Sequence, residues 1–169
     1  FSGWYTNANG TGTSYAAGGT YTTDANLDLY AVWSENTYTI TYNLNGGSAT
    51  NPSNYKVTSS AITLNNPTKT GYTFAGWTGT DLTTATTTVT IPQGSTGNRT
   101  YTATWTPITY TVTFNANGGT GNVNPATHTY DVTENIPTEG FTKEGYTFTG
   151  WSKTTTGTAQ YVGTVKNLT

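Results

Sequence analysis

The sequence predicts a mostly β protein assembled from tandem copies of one small module. Three observations carry that prediction. The first is self-similarity: Phe1-Ser2-Gly3-Trp4 returns as Phe74-Ala75-Gly76-Trp77 and as Phe148-Thr149-Gly150-Trp151, a repeat of about 73 residues. Tyr38-Thr39-Ile40-Thr41-Tyr42-Asn43-Leu44-Asn45-Gly46-Gly47 returns as Tyr110-Thr111-Val112-Thr113-Phe114-Asn115-Ala116-Asn117-Gly118-Gly119, and Leu29-Tyr30-Ala31-Val32-Trp33 as Tyr101-Thr102-Ala103-Thr104-Trp105. The second is composition: Thr makes up roughly a quarter of the chain beside 13 Tyr and 5 Trp, side chains that fit a pleated, half-buried surface. The third is the lack of any 3.6-residue apolar period, in a chain where Ala and Leu are sparse and Thr and Gly are poor helix formers.

The elements follow in order along the module. Tyr38, Ile40 and Tyr42 alternate with Thr39 and Thr41, as Tyr110, Val112 and Phe114 do with their threonines, which predicts an opening strand buried on one face. Asn45-Gly46 and Asn117-Gly118 come next, the dipeptide that best tolerates the positive φ of a tight hairpin turn. A less regular stretch holds Tyr55-Lys56-Val57 in one copy and Tyr130-Asp131-Val132 in the other. Pro52 and Pro67, like Pro125 and Pro137, bracket it and limit any helix to about two turns. Gly71-Tyr72-Thr73-Phe74-Ala75-Gly76-Trp77 then predicts a strand of broken parity: Tyr72 and Phe74 share a face, and a glycine bulge brings Trp77 back to it. Thr88-Val89-Thr90-Ile91-Pro92 reads as a strand stopped by proline. Tyr101, Ala103 and Trp105 line one face of the closing strand. The linkers Ser34-Glu35-Asn36-Thr37 and Thr106-Pro107-Ile108-Thr109 are short enough to couple neighbouring modules closely. The expected domains are 1–36, the C-terminal part of module 1; 37–107, the complete module 2; and 108–169, a module 3 lacking its closing strand.

Composition excludes several function classes. Charged residues are 8% of the chain, the net charge is −2, and the six basic residues stand singly, so no stripe exists to hold a phosphate backbone. Without Cys there is neither a disulfide framework nor a thiolate metal site. No transmembrane run or signal peptide is read in the segment, and the lack of Met reads as a piece of a longer chain. By comparison with residues 15–33, about ten residues of the third module are expected beyond Thr169. Trimming, or completion of the end modules by strands from neighbouring chains, would account for this.

The ordered set Y-x-[IV]-x-[YF]-N-x-N-G-G, then G-Y-T-F-x-G-W, then A-x-W resembles the Listeria–Bacteroides repeat, the B-repeat family of internalin-like bacterial surface proteins. Here those elements are Tyr38 to Gly47, Gly71 to Trp77 and Ala103 to Trp105, with their copies, so the resemblance spans essentially the whole chain. It implies small β-grasp-like (ubiquitin-like) modules with at most one short helix each. Because residues between Gly47 and Gly71 are rich in Ser, Asn, Pro and Thr, an almost all-β module is expected. The resemblance further implies an extracellular protein, secreted or on the bacterial cell surface, whose repeats serve as stalk, spacer or adhesion support, with no catalytic residue to carry over.

Residues that could carry chemistry read as structural. His128, the sole histidine, reads as a solvated strand residue; one histidine with scattered acids is too few ligands for zinc. Glu134, Glu139, Glu144 and Asp131 gather in the third module only and read as solvated, although paired carboxylates can hydrolyse glycosides. Asp24-Ala25-Asn26-Leu27-Asp28 offers few oxygens for calcium. Trp4, Trp77 and Trp151 fill one slot, Trp33 and Trp105 another, which reads as module core; Tyr5, Tyr15, Tyr21 and Tyr161 are the better surface candidates for stacking on sugars. Asn9-Gly10-Thr11, Asn98-Arg99-Thr100 and Asn167-Leu168-Thr169 match the glycosylation pattern, by chance in so Asn- and Thr-rich a chain. Lys69 and Lys143 read as exposed turn lysines rather than partners in an isopeptide bond. No catalytic, cofactor or metal residue is therefore assigned, and no enzyme is expected. The expected partners are neighbouring modules of the same chain. The alternatives are a glycan- or receptor-binding module, or a filament subunit that self-assembles by strand exchange.

Overall fold

A computed structural model describes residues 1–166. The expected Asn167-Leu168-Thr169 pattern lies outside the described residues. Within them the chain holds strands and turns and no helix, as the composition predicts.

Strands β1 (Gly3–Tyr5), β2 (Ser14–Tyr15) and β3 (Tyr30–Val32) lie in the first repeat. The second holds β4 (Tyr38–Asn43), β5 (Asn54–Tyr55), β6 (Ile62–Thr63), β7 (Tyr72–Gly79), β8 (Leu82–Thr86), β9 (Thr90–Ile91) and β10 (Arg99–Pro107). The third holds β11 (Thr109–Val112), β12 (Thr120–Gly121), β13 (Ala126–Thr129), β14 (Thr133–Asn135), β15 (Phe141–Thr142) and β16 (Thr164–Lys166). Packing groups them into two units. One gathers Phe1–Thr41, Pro52–Thr63 and Thr90–Arg99; the other gathers Tyr42–Asn51, Leu64–Val89 and the described residues from Thr100 on.

In the first unit β1 is the centre of an antiparallel sheet ordered β2-β1-β3, with Trp4 opposite Tyr15 on one side and Ala31 on the other. The burial expected of its two tryptophans does not occur. Trp33 is 74% exposed and Trp4 is also exposed, and among the described residues each meets one aromatic ring, Phe1, in an edge-to-face arrangement. Phe1 stands for Phe74 beside both tryptophans, but Leu29 replaces Tyr101, and residues 1–36 hold no match for Tyr42, the other ring against Trp77. Elsewhere in this unit β4 pairs with β5 and β6 with β9, burying Ile40, Tyr55 and Ile91.

The second unit is built on β7, which lies between β8 and β10. Along β10 and β7, Ala103 faces Trp77, Thr104 faces Gly76 and Trp105 faces Phe74, so one residue of β7, Ala75, is skipped. This is the bulge that the broken parity predicts. Gly76 makes it at φ 141°, where a Cβ would come within 2.7 Å of the Thr86 amide nitrogen. Gly3 and Gly150, the repeats of Gly76, hold φ 145° and 137°, so all three copies keep the kink. It delivers Trp77 to full burial beside Tyr42, Phe74 and Tyr101, with Leu64, Val89 and Ala103 also buried. Its indole N–H is satisfied by Asn66 Oδ1 at 3.2 Å, as a buried donor requires.

Asn45 (φ 48°) and Gly46 (φ 82°) form a tight turn closed by the Gly47 amide donating to the Leu44 carbonyl at 2.9 Å. Asn117 and Gly118 repeat it, with Gly119 donating to Ala116. The turn type is the expected one, but it does not join two directly paired strands. The chain after it meets Thr68 through Ser48, and β4 pairs instead with the distant β5. Turn chemistry is written in two residues; the strand it leads to depends on contacts far along the chain.

Candidate functional site

Three places concentrate chemically capable side chains: the β5/β13 slot, the turn lysines and an open aromatic groove in the third repeat. The first corrects the reading of His128. Tyr38 pairs with Tyr55 across β4 and β5, and Tyr110, the repeat of Tyr38, pairs with His128 across β11 and β13. His128 therefore occupies the slot of Tyr55, and Tyr130 that of Val57, a shift from the matching of Tyr55 with Tyr130. The slot faces inward, so His128 is 3% exposed rather than solvated. Its Nδ1 lies 3.1 Å from Glu134 Oε2, while Glu134 Oε1 accepts from the Thr129 amide at 3.1 Å. His128 Nε2 has no hydrogen-bond partner among the described residues. Tyr55 uses the same slot differently, donating its hydroxyl to the Gly97 carbonyl at 2.6 Å and accepting from Arg99 Nε at 3.0 Å.

The remaining acids do not gather. Asp131 pairs with Lys166 at 2.8 Å, and Glu139, Glu144, Asp24 and Asp28 are exposed. No group of three or more His, Cys, Asp or Glu side chains able to hold a metal occurs among the described residues. Asn9 Oδ1 accepts from the Thr11 hydroxyl, and Asn98 Oδ1 from the Thr39 amide at 3.0 Å, so both side chains serve local turns and strands. Tyr21 donates to the Ala25 carbonyl and meets Tyr15 edge-on, and Tyr161 bridges to Trp151.

The turn lysines form one device twice. Lys69 Nζ donates to the Asn45 carbonyl at 3.0 Å and lies 4.1 Å from the Tyr72 ring centroid; Lys143 Nζ donates to the Asn117 carbonyl at 3.3 Å and lies 4.7 Å from that of Tyr146. Each ammonium ties the Asn-Gly turn to the following Gly-Tyr segment through a hydrogen bond and a cation–π contact. Neither lysine is buried, which leaves both without the desolvated setting an isopeptide bond needs.

The groove is a cavity of about 730 Å³ in the third repeat, lined by Phe141, Tyr146, Phe148, Gly150 and Trp151 among polar neighbours such as Asn117 and Lys143. Trp151 packs against Phe114, Phe141 and Phe148 with centroids 4.8, 5.8 and 5.1 Å away and donates its indole N–H to the Pro137 carbonyl. Tyr146, Phe148 and Trp151 occupy the repeat positions of Tyr72, Phe74 and Trp77, and Phe114 that of Tyr42. Sequence reading found the residues but not their exposure, because the strand that covers their counterparts is β10.

The fold and these sites define a tandem-repeat β protein in which aromatic slots recur module by module. The Listeria-Bacteroides repeat domain matches three times, over residues 1–32, 38–104 and 110–169, and the chain belongs to that family. Two relatives come from Evansella cellulosilytica. One, whose name calls it a Gly-rich membrane protein, is 32% identical over 154 residues, 89% of this chain and 17% of its own length. The other, named as a membrane protein, is 35% identical over 127 residues, 74% of this chain and 18% of its own length. The chain thus spans less than a fifth of either curated relative. No solved structure matches it. No helix among the described residues is long and apolar enough to cross a membrane, which says nothing of β-barrels.

Proposed function

We propose that this chain is a structural, adhesion-supporting repeat array of a bacterial cell-surface or secreted protein, acting as stalk or spacer. The modules are read as helix-free relatives of the β-grasp layout, with boundaries at 1–36, 37–107 and 108–169. One observation carries the reading: in the second repeat the recurring aromatics form a module core, with Trp77 and Tyr101 wholly buried. Lys69 and Lys143 are engaged in turns, His128 pairs with Glu134 and Asp131 with Lys166, and exposed threonines recur along the strands. Nothing in that pattern favours catalysis, a cofactor or nucleic acid.

The test is made in the parent protein, with an epitope tag placed beyond the array. Deleting the repeats should reduce antibody access to the tag on intact cells, and an unrelated rigid repeat array of equal length should restore it. If only the native repeats restore access, or deletion leaves access unchanged, the spacer reading fails.

The open groove favours a second reading, completion by an added strand. Its exposed aromatics sit in repeat-invariant slots, so the groove has the shape of a module core lacking cover rather than that of a sugar platform. A peptide with the sequence Arg99 to Pro107 should then bind and quench Trp151, and light scattering should show whether chains supply such a strand to each other. A failure of the peptide to bind, alongside capture of soluble glycans, would favour the glycan-binding alternative.

A further inference from the structure

The second and third repeats meet through side chains that the linker alone does not explain. Tyr130 lies over Gly71 so closely that a Cβ on Gly71 would clash with its ring carbons, and Gly71 itself takes φ 77°. The Ile108 amide donates to the Gly71 carbonyl at 2.9 Å, and the Tyr130 amide to the Ile108 carbonyl at 2.9 Å, so the backbone is clamped on both sides of the ring. Tyr72 meets Tyr130 edge-on, with centroids 5.5 Å apart and planes at 75°. The Tyr72 hydroxyl reaches Asp131 Oδ2 at 3.4 Å, and Lys166 Nζ holds the other oxygen of that carboxylate. Asp131 stands at φ 64° in a turn closed by Val132 donating to Thr129, which turns its carboxylate and the Tyr130 ring toward the neighbouring module. Partial burial, then the Asp131 charge, raise the Tyr72 phenol above its usual range.

The third repeat contains the same acceptor uncovered. Gly145 and Tyr146 repeat Gly71 and Tyr72, yet a Cβ on Gly145 would meet nothing within 4 Å and Tyr146 is 72% exposed. Tyr130 and Asp131, which cover Gly71-Tyr72, stand at strand positions where the second repeat has Val57 and Thr58.

We propose that Gly71-Tyr72 is an inter-module docking site whose ligand is the Tyr130-Asp131 turn of the next module, and that this contact fixes the two modules as a stiff joint. The inference deepens the stalk reading, since a spacer keeps its reach only if its joints resist bending. It differs from a generic short linker in naming the residues that stiffen the junction.

The chain contains no cysteine, so two spin labels can be placed cleanly at exposed strand positions, Thr84→Cys in the second repeat and Thr127→Cys in the third. The otherwise unchanged chain should give one narrow distance distribution. Tyr130→Ser should lose that single narrow distance, with amide spectra confirming that both modules stay folded. If Tyr130→Ser unfolds its module, Tyr72→Ser attacks the same contact from the other side, and Tyr146→Ser is its matched control. Broadening by Tyr72→Ser and none by Tyr146→Ser supports the joint. A broad distribution in the otherwise unchanged chain, or a narrow one that survives loss of either docking tyrosine, overturns it. Either result is independent of tag access on cells, so a failed joint and a failed stalk reading are distinguishable.

Discussion

Gly71-Tyr72-Thr73-Phe74-Ala75-Gly76-Trp77 and Gly145-Tyr146-Thr147-Phe148-Thr149-Gly150-Trp151 differ at one position, yet the two copies live in different surroundings. In the first, β10 lies along the segment, Ala103 and Trp105 cover the aromatics, and Trp77 is excluded from water. Trp105 also donates its indole N–H to the Leu44 carbonyl at 3.1 Å, and the Asn45 side chain donates to the Ala103 carbonyl at 2.8 Å, tying the covering strand to the turn. In the second copy the same rings border an open groove. The motif specifies where aromatic side chains go and keeps the glycine kink in both copies. Burial, and with it most of the stabilising free energy, comes from a strand about thirty residues further on in the second repeat.

That contrast is tested most severely by truncating each tryptophan in turn. Trp77→Ala removes a fully buried ring and leaves Asn66 without its donor, so it should cost about 3–5 kcal/mol in denaturant unfolding. Trp151→Ala removes a half-exposed ring and should cost about 1–2 kcal/mol. Equal losses would mean that the groove is closed in solution and that the difference between the copies is smaller than it looks.

The buried slot of β5 and β13 gives a second, smaller contrast. Tyr55 satisfies its hydroxyl with main chain and Arg99, whereas His128 relies on Glu134. Glu134→Ala would leave buried His128 without its carboxylate and the Thr129 amide without its acceptor, at about 1–3 kcal/mol. Glu139→Ala, at an exposed acid a few residues away, should stay within about 0.5 kcal/mol. Thermal unfolding of the two variants side by side checks this, and a harmless Glu134→Ala would return His128 to the solvated role that its sequence neighbourhood suggests.

Which features were legible follows from their range. The mostly β class, the kink before each tryptophan and the Asn-Gly turns are local, written in period-two alternation and in glycines whose φ no other residue takes comfortably. The family is legible for the same reason, since three ordered local motifs repeat. What could not be read is what faces what. Tyr55 and Tyr130 look equivalent because each is followed by a charged residue and a valine, but strand register, not string similarity, pairs Tyr55 with Tyr38 and His128 with Tyr110. The exposure of Trp4 and Trp33 and the seating of Tyr130 on Gly71 likewise depend on segments far apart in the chain. The one local trace of that seating is Gly71 itself, and a turn glycine has commoner explanations.

The smallest expected effect separates the two repeats by pH. Tyr42 in the second repeat is Phe114 in the third, so only one of the two cores holds a titratable ring at this position. Burial, and then proximity to Tyr101, push the Tyr42 phenol up to about 12 from its usual 10.0. A raised phenol pKa means that the folded chain keeps its proton where the unfolded chain has released it. The unfolded state then binds fewer protons between about pH 10 and pH 12, and stability that is fully present below that window falls as pH rises through it. Urea unfolding at about pH 9 and about pH 11 should therefore show a loss in the parent that Tyr42→Phe reduces. Tyr72, also raised, would account for part of what remains, and adding Tyr72→Phe should flatten the profile further. A Tyr42→Phe chain that weakens as steeply as the parent would place the alkaline sensitivity outside the Trp77 core, and the chemical difference between the two repeats at this position would carry no energetic weight.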